Sequence, residues 1–227
     1  MSGPAPEARE WLEQAGFTVK QEPMWLAALT HGSLGESTNY ERLEFLGDRV
    51  LGHVMARTLY DKHPDEPEGF LSRRYNVLVA RETCADIGRE LGVPAIVRLG
   101  KQAREDHANM SENVLGDVVE ALLGAIYIDS GLDYAEAFIK LHWKPFIEGQ
   151  KKAPVHPKSA LQELAAARNL GTPRYETLGR AGPPHAPRFR VQVTLGRHGE
   201  AEAEGSSKQE AETAAAAALL EKLGRSS

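Results

Sequence analysis

The sequence predicts two domains: an all-α domain over residues 1–148, a linker at 149–156, and an α-β-β-β-α (α+β) module over 157–227. Three observations carry that expectation. Apolar residues recur at helical spacing through most of the first domain. Phe189, Val191, Val193 and Leu195 alternate with Arg190, Gln192 and Thr194, the period of two that a half-buried strand requires. Between these regions, Gly149-Gln-Lys-Lys-Ala-Pro-Val-His-Pro157 combines prolines, a glycine and two lysines, a composition that favours exposed chain.

Taken in order, helices are expected over 5–15, 24–31, 40–59, 68–91, 112–129 and 133–147. Gly92-Val-Pro94 and Ser130-Gly131 supply the stops. In the second domain a short amphipathic helix runs from Ser159 to Arg168 and ends at Asn169-Leu-Gly171. Strands at Arg174–Leu178 and Glu200–Glu204 flank the central one, and Ser207–Leu223, with its alanine run, closes the module as a helix. That order places two helices on one face of an antiparallel sheet.

Whole-chain charge argues against a nucleic-acid partner. The 227 residues carry 27 Lys+Arg against 32 Asp+Glu, a net of −5, and nucleic-acid binders are usually basic. The total hides an asymmetry. Residues 1–150 hold 15 basic and 24 acidic side chains, a net of −9; residues 151–227 hold 12 and 8, a net of +4. The acidity belongs to one domain and the basicity to the other. No apolar run approaches the ~20 residues of a membrane span, and the opening MSGPAPEAREW lacks a signal-peptide core. The single cysteine, Cys84, fits a reducing cytoplasm, the expected location.

The acids are not evenly spread. In Glu41-Arg-Leu-Glu44-Phe-Leu-Gly-Asp48, three acids at i, i+3 and i+7 share a helix face within about 60°. Leu51, Met55 and Phe45 flank them, so they interrupt the apolar face rather than extend the solvated one. Thr38-Asn-Tyr-Glu41 also fits a capping box, in which Glu41 would only satisfy a helix N-terminus. Downstream, Asn113–Ile128 is apolar almost all round, as a buried central helix would be, and its only charges are Asp117 and Glu120. Buried carboxylates cost several kcal/mol each, by rough reckoning, unless a cation or proton accompanies them. Two acidic pairs on two helices make an oxygen-rich site suited to Mg²⁺ or Mn²⁺. Such a site is a common arrangement for phosphodiester hydrolysis.

These residues resemble a known family. Glu41-Arg-Leu-Glu-Phe-Leu-Gly-Asp48 resembles the signature of bacterial ribonuclease III, and Asp117-Val-Val-Glu120-Ala resembles its second acidic motif. The C-terminal module resembles its double-stranded-RNA-binding domain. The resemblance implies a homodimeric, Mg²⁺-dependent endoribonuclease with Mn²⁺ as a substitute. It would leave 5′-phosphate and 3′-hydroxyl ends and act in rRNA precursor processing and in mRNA processing and decay. It also implies that Glu44, Asp48, Asp117 and Glu120 hold metal, with Asp48 and Glu120 catalytic. Glu41 and Glu68 would be supporting acids lining the same valley in the dimer, and Phe45 would pack across the dimer interface. Gly32 and Tyr75-Asn76 depart from the family pattern, as does the last helix.

In the basic module the resemblance assigns RNA contacts to Ser159, Gln162 and Glu163 on the first helix, His185 in the first loop, and Ser207 and Lys208 at the last helix. Ser159-Ala-Leu-Gln162 and Ser207-Lys-Gln-Glu210 also read as capping boxes. The family's run of consecutive Lys/Arg is here Lys208-Gln-Glu210-Ala-Glu212, which predicts weaker binding and a shallower salt dependence. The rival class is a duplex-RNA-binding protein without chemistry. Asp117 and Glu120 in a buried helix argue against it.

Overall fold

The computed structural model describes residues 6–150, 153–154, 156–183 and 187–225. The chain forms two compact units, Met1–Pro154 and Val155–Ser227.

The first unit is helical: α1 (Pro6–Gln14), α2 (Glu22–Ala28), α3 (Glu41–Lys62), α4 (Glu68–Leu78), α5 (Arg81–Leu91), α6 (Val93–Ile96), α7 (Lys101–Glu105), α8 (Glu112–Ser130), α9 (Leu132–His142) and α10 (Lys144–Gly149). Helix α8 is the axis of the unit. Leu115, Val118, Ala121, Leu122, Leu123 and Ala125 on it are essentially inaccessible, because an element apolar on all sides must be surrounded. Trp25, Leu51, Met55, Ile87 and Trp143 pack into the same core.

Helix α3 crosses α8 at two glycines. A Cβ on Gly47 would lie 1.7 Å from the Glu120 carbonyl oxygen, and one on Gly124 would lie 2.3 Å from that of Leu43. The two backbones therefore touch, which only residues without side chains permit. This crossing sets the Glu44–Asp48 segment against the Asp117–Glu120 segment.

Two expected helices are broken. The span 68–91 divides at Val79-Ala80, where Ala80 is extended (φ −66°, ψ 147°). The carbonyls freed there are taken up: the Thr83 hydroxyl donates to the Val77 oxygen at 2.7 Å, and the buried Trp143 indole donates to that of Leu78 at 2.8 Å. The span 133–147 divides at Trp143, because Pro145 occupies the first turn of α10 and cannot donate back into α9. Buried Arg74 pairs with Glu66 at 2.7 Å and donates to the Gln150 carbonyl.

The second unit contains α11 (Pro157–Ala167), β1 (Arg174–Ala181), β2 (Arg188–Thr194), β3 (Glu200–Gly205) and α12 (Lys208–Arg225). The sheet is antiparallel in the order β1-β2-β3, with Val191 opposite Thr177 and Ala203. Strand β1 runs three residues beyond expectation by absorbing an irregularity between Thr177 and Gly179. Val193, Leu195 and Ala201 meet Leu161 and Ala165 of α11 and Ala215, Ala216 and Leu219 of α12. The alanine run is thus a packing surface: methyl-sized side chains let α12 lie close to the sheet.

Candidate active site

The helix crossing gathers carboxylates on one side of the first unit. Glu44, Asp48, Asp117 and Glu120 are half-buried, and Glu41, at the first turn of α3, is exposed. Three of them are electrostatically coupled. Burial raises Glu120 first, and Glu44 and Asp117 raise it further, so that it is pushed up to about 7. Burial, then Asp117 and Glu41, raise Glu44 above the ordinary carboxylate range. Asp117 is raised by burial, against the opposing effects of Tyr40, Arg81 and His31. Each group has its anionic form penalised first by burial, and for Glu44 and Glu120 neighbouring carboxylates add to that penalty.

The surrounding residues explain the shape. Buried Tyr40, just before α3, donates its hydroxyl to Asp117 Oδ2 at 3.2 Å. Arg81, the first residue of α5, lowers Glu44, Asp117 and Glu120 alike. Neither was singled out from sequence. Both are remote in the chain from the acid they serve, and no local spacing could have revealed them. Asp48 is ion-paired with neighbouring Arg49, which also faces Glu120. The Nδ1 of His31 accepts the Ser33 N–H at 3.0 Å, and its ring meets Tyr40 edge-on, so a structural task is apparent.

The capping interpretation of Glu41 is corrected. Tyr40 precedes the helix without a side-chain cap, and the Glu41 N–H goes to Asn39 Oδ1 at 3.1 Å, so Thr38 and Glu41 form no reciprocal box. The Glu41 carboxylate instead faces Gly32, where a Cβ would stand 3.3 Å from Oε1. Glu68 lies elsewhere in the protomer. It opens α4, is exposed, and accepts the Ser72 hydroxyl. Helix α3 continues about 20 Å from Asp48 to its C-terminus before α4 begins.

Among the described residues, no three His, Cys, Asp or Glu side chains close on a point that could hold a metal ion. The set fits a divalent cation by charge and donor type rather than by present spacing: hard oxygen ligands whose mutual repulsion a cation would relieve. Phe45 does not pack in the core. It is 65% exposed, with the Arg49 guanidinium 4.9 Å from its ring centre, beside a groove lined by Pro23, Met24, Leu46 and Ile128.

In the second unit, Ser159, Gln162 and Lys208 line one open groove with His156, Lys158, Gln209 and Glu212. Helix α11 starts at Pro157 without a side-chain cap, so the Ser159–Gln162 capping box is not formed and both residues lie within the helix. The Ser207 box is made in modified form. Ser207 Oγ accepts the Glu210 N–H at 3.1 Å, and the Glu210 carboxylate accepts the Ser206 N–H at 2.7 Å. Glu163 is exposed. His185 lies outside the described residues.

A helical domain with a paired-carboxylate cleft, followed by a small α-β-β-β-α module, defines a nuclease carrying its own duplex-RNA-binding unit. A ribonuclease-III-like family model matches residues 21–145, and a double-stranded RNA binding motif matches 157–223. Ribonuclease 3 of Zymomonas mobilis is 56% identical over 216 residues, 95% of this chain and 87% of the relative. Ribonuclease 3 of Rhodobacter capsulatus is 42% identical over 223 residues, 97% of this chain and 98% of the relative. A solved nuclease domain of ribonuclease III from Campylobacter jejuni, described for flexibility in a region involved in dimer formation, superposes with a TM-score of 0.57. It is 30% identical and covers 63% of this chain and 96% of its own. The chain belongs to the ribonuclease III family and is a double-strand-specific endoribonuclease. Among the described residues, no helix is long and apolar enough to cross a membrane.

Proposed function

We propose that the chain cleaves double-stranded RNA by Mg²⁺-dependent hydrolysis at the Glu44–Asp48–Asp117–Glu120 cluster. The observation that carries this reading is the Gly47–Gly124 crossing, which sets two acidic helix segments together and leaves Glu120 pushed up to about 7. Those four carboxylates would hold the ion, with Glu41 and Glu68 as supporting acids and Mn²⁺ as a substitute. A bound Mg²⁺ lowers the pKa of a water and stabilises charge developing on the phosphate. Asp48 and Glu120 carry the catalytic role from opposite helices. Tyr40 fixes the orientation of Asp117 through its hydroxyl, and Arg81 moderates the cluster's negative potential. In the reaction, water oxygen bonds to phosphorus, the P–O3′ bond breaks, and the 3′ oxygen leaves with a proton. The products carry 5′-phosphate and 3′-hydroxyl ends. Ribosomal RNA precursors and structured messages in the cytoplasm are the substrates this activity would serve.

The test combines cleavage and binding of a long RNA duplex. Mg²⁺ should support cutting and EDTA should stop it. Glu120→Gln should cut about a thousandfold more slowly while binding the duplex normally. Cleavage that survives EDTA or the substitution would refute the metal mechanism. Binding without cleavage in Mg²⁺ would favour the non-catalytic rival.

The enzyme acts as a homodimer in this reading. Phe45 is exposed beside a groove on the same protomer whose lining mixes Met24, Leu46 and Ile128 with polar side chains, a pairing that a two-fold interface would use twice. Each site would then cut one strand. Phe45→Ala should weaken self-association by about tenfold or more in sedimentation experiments, with thermal stability of the protomer unchanged. An unchanged association constant would remove Phe45 from the interface.

A further inference from the structure

The groove between α11 and the start of α12 contains a carboxylate where a phosphate-binding face would be expected to hold only cations. Glu212 lies one turn beyond Lys208 and crosses to α11, where its Oε2 is 2.6 Å from Lys158 Nζ. Its other oxygen is 3.9 Å from Lys208 Nζ. The Glu212 side chain is only 15% exposed, against 64% for Lys208. The Lys158 ammonium is held on a second side as well, 4.7 Å from the centre of the Tyr175 ring. Glu210, the neighbouring acid, is committed to the helix start by its bond to the Ser206 N–H, so it does not act in the groove.

We propose that Glu212 is a built-in competitor for RNA phosphate. It draws Lys158 inward and offsets Lys208, setting duplex affinity below what two lysines would otherwise give. The inference rests on the reading of this groove as an RNA-binding face. Its physical basis is exchange. For Lys158 to reach a phosphate it must give up a charge-assisted bond to Glu212, and a shielded carboxylate loses its closest partner at the same moment. A phosphate approaching Lys208 also meets the Glu212 charge behind it. Two ammonium groups and one carboxylate therefore present the net attraction of one cation. This adds a second cause, independent of the missing basic residues in α12, for weak phosphate-directed binding.

Duplex affinity of the full chain should be measured in EDTA, so that RNA stays intact, across a salt series. Glu212→Gln should bind about threefold more tightly at 0.1 M salt, the scale of one partly exposed ion pair. Its log–log salt slope should steepen by about 0.7–0.9, the increment for one more neutralised phosphate. In a Lys158→Met background the steepening should disappear. Lys208→Ala should weaken binding, which tests the face itself. If Lys208→Ala weakens binding but Glu212→Gln is equal to or weaker than the parent, the competitor role is overturned and the RNA face stands. If Lys208→Ala has no effect, the groove is not the RNA face and both readings fall. A thermal melt accompanies each variant, and Glu212→Met serves as the neutral replacement should the Gln form melt early.

Discussion

The acidic cleft and the basic groove handle like charges in opposite ways. In the cleft, burial raises Glu44, Asp117 and Glu120, neighbouring acids raise Glu44 and Glu120 further, and Arg81 offsets only part of this. In the groove, each of two lysines already has a carboxylate within ion-pair distance. The cleft is left with an unmet demand for positive charge, whereas the groove has met part of its demand for negative charge internally. A site kept uncompensated binds its counter-ion strongly, and one compensated in advance binds weakly and exchangeably. A cofactor that must stay and a polymer that must leave call for those two solutions.

The comparison can be broken most sharply at the helix crossing. Gly47→Ala improves helix propensity by about 1 kcal/mol. The added Cβ would stand 1.7 Å from a backbone oxygen, however, and α8 cannot yield as a flexible side chain can. Steric conflict wins, and urea unfolding should show a loss of about 3 kcal/mol or more. Retained stability would mean that the cleft is not set by backbone contact.

A second test concerns protons. Folding raises Glu120 from 4.5 to about 7, so between those values the folded state holds a proton that the unfolded state releases. Metal-free stability should therefore fall as pH rises from about 4.5 to 7 and stay reduced above it. Glu120→Gln removes that contribution, so in EDTA at pH 8 it should melt several degrees higher than the parent. An equal or lower melting temperature would show that the cleft is compensated after all. Glu212→Gln should behave in the opposite sense, losing about 1 kcal/mol at the same pH, because it breaks a favourable pair rather than relieving a repulsion.

Much of this was legible in sequence because it depends on local periodicity. The acids at i, i+3 and i+7 mark a face that burial confirms for Glu44 and Asp48, and the alternation over 189–195 locates the central strand. The break at Ala80 was not legible, because the groups that take up its carbonyls include an indole 65 residues away. The roles of Tyr40 and Arg81 are hidden from sequence for the same reason. Two of the three capping boxes failed because a motif of four residues does not say where its helix begins: α11 starts at Pro157, two positions before Ser159. The whole-chain charge misled because it averaged two opposite electrostatic requirements. In sequence Glu212 is one more acid in a last helix of balanced charge; only the crossing to Lys158 gives it a task.

One buried indole ties these themes to the order in which the protein can be made. Trp143 lies where α9 ends, and it also donates to the last turn of α4, next to the break from which α5 and Arg81 emerge. During synthesis all the cleft's acids leave the ribosome before residue 143 does. The cation common to Glu44, Asp117 and Glu120 thus gains its final support only after the last helices of the domain have docked. A nascent or truncated chain lacking that indole would possess every acid of the cleft without the full framework that balances them.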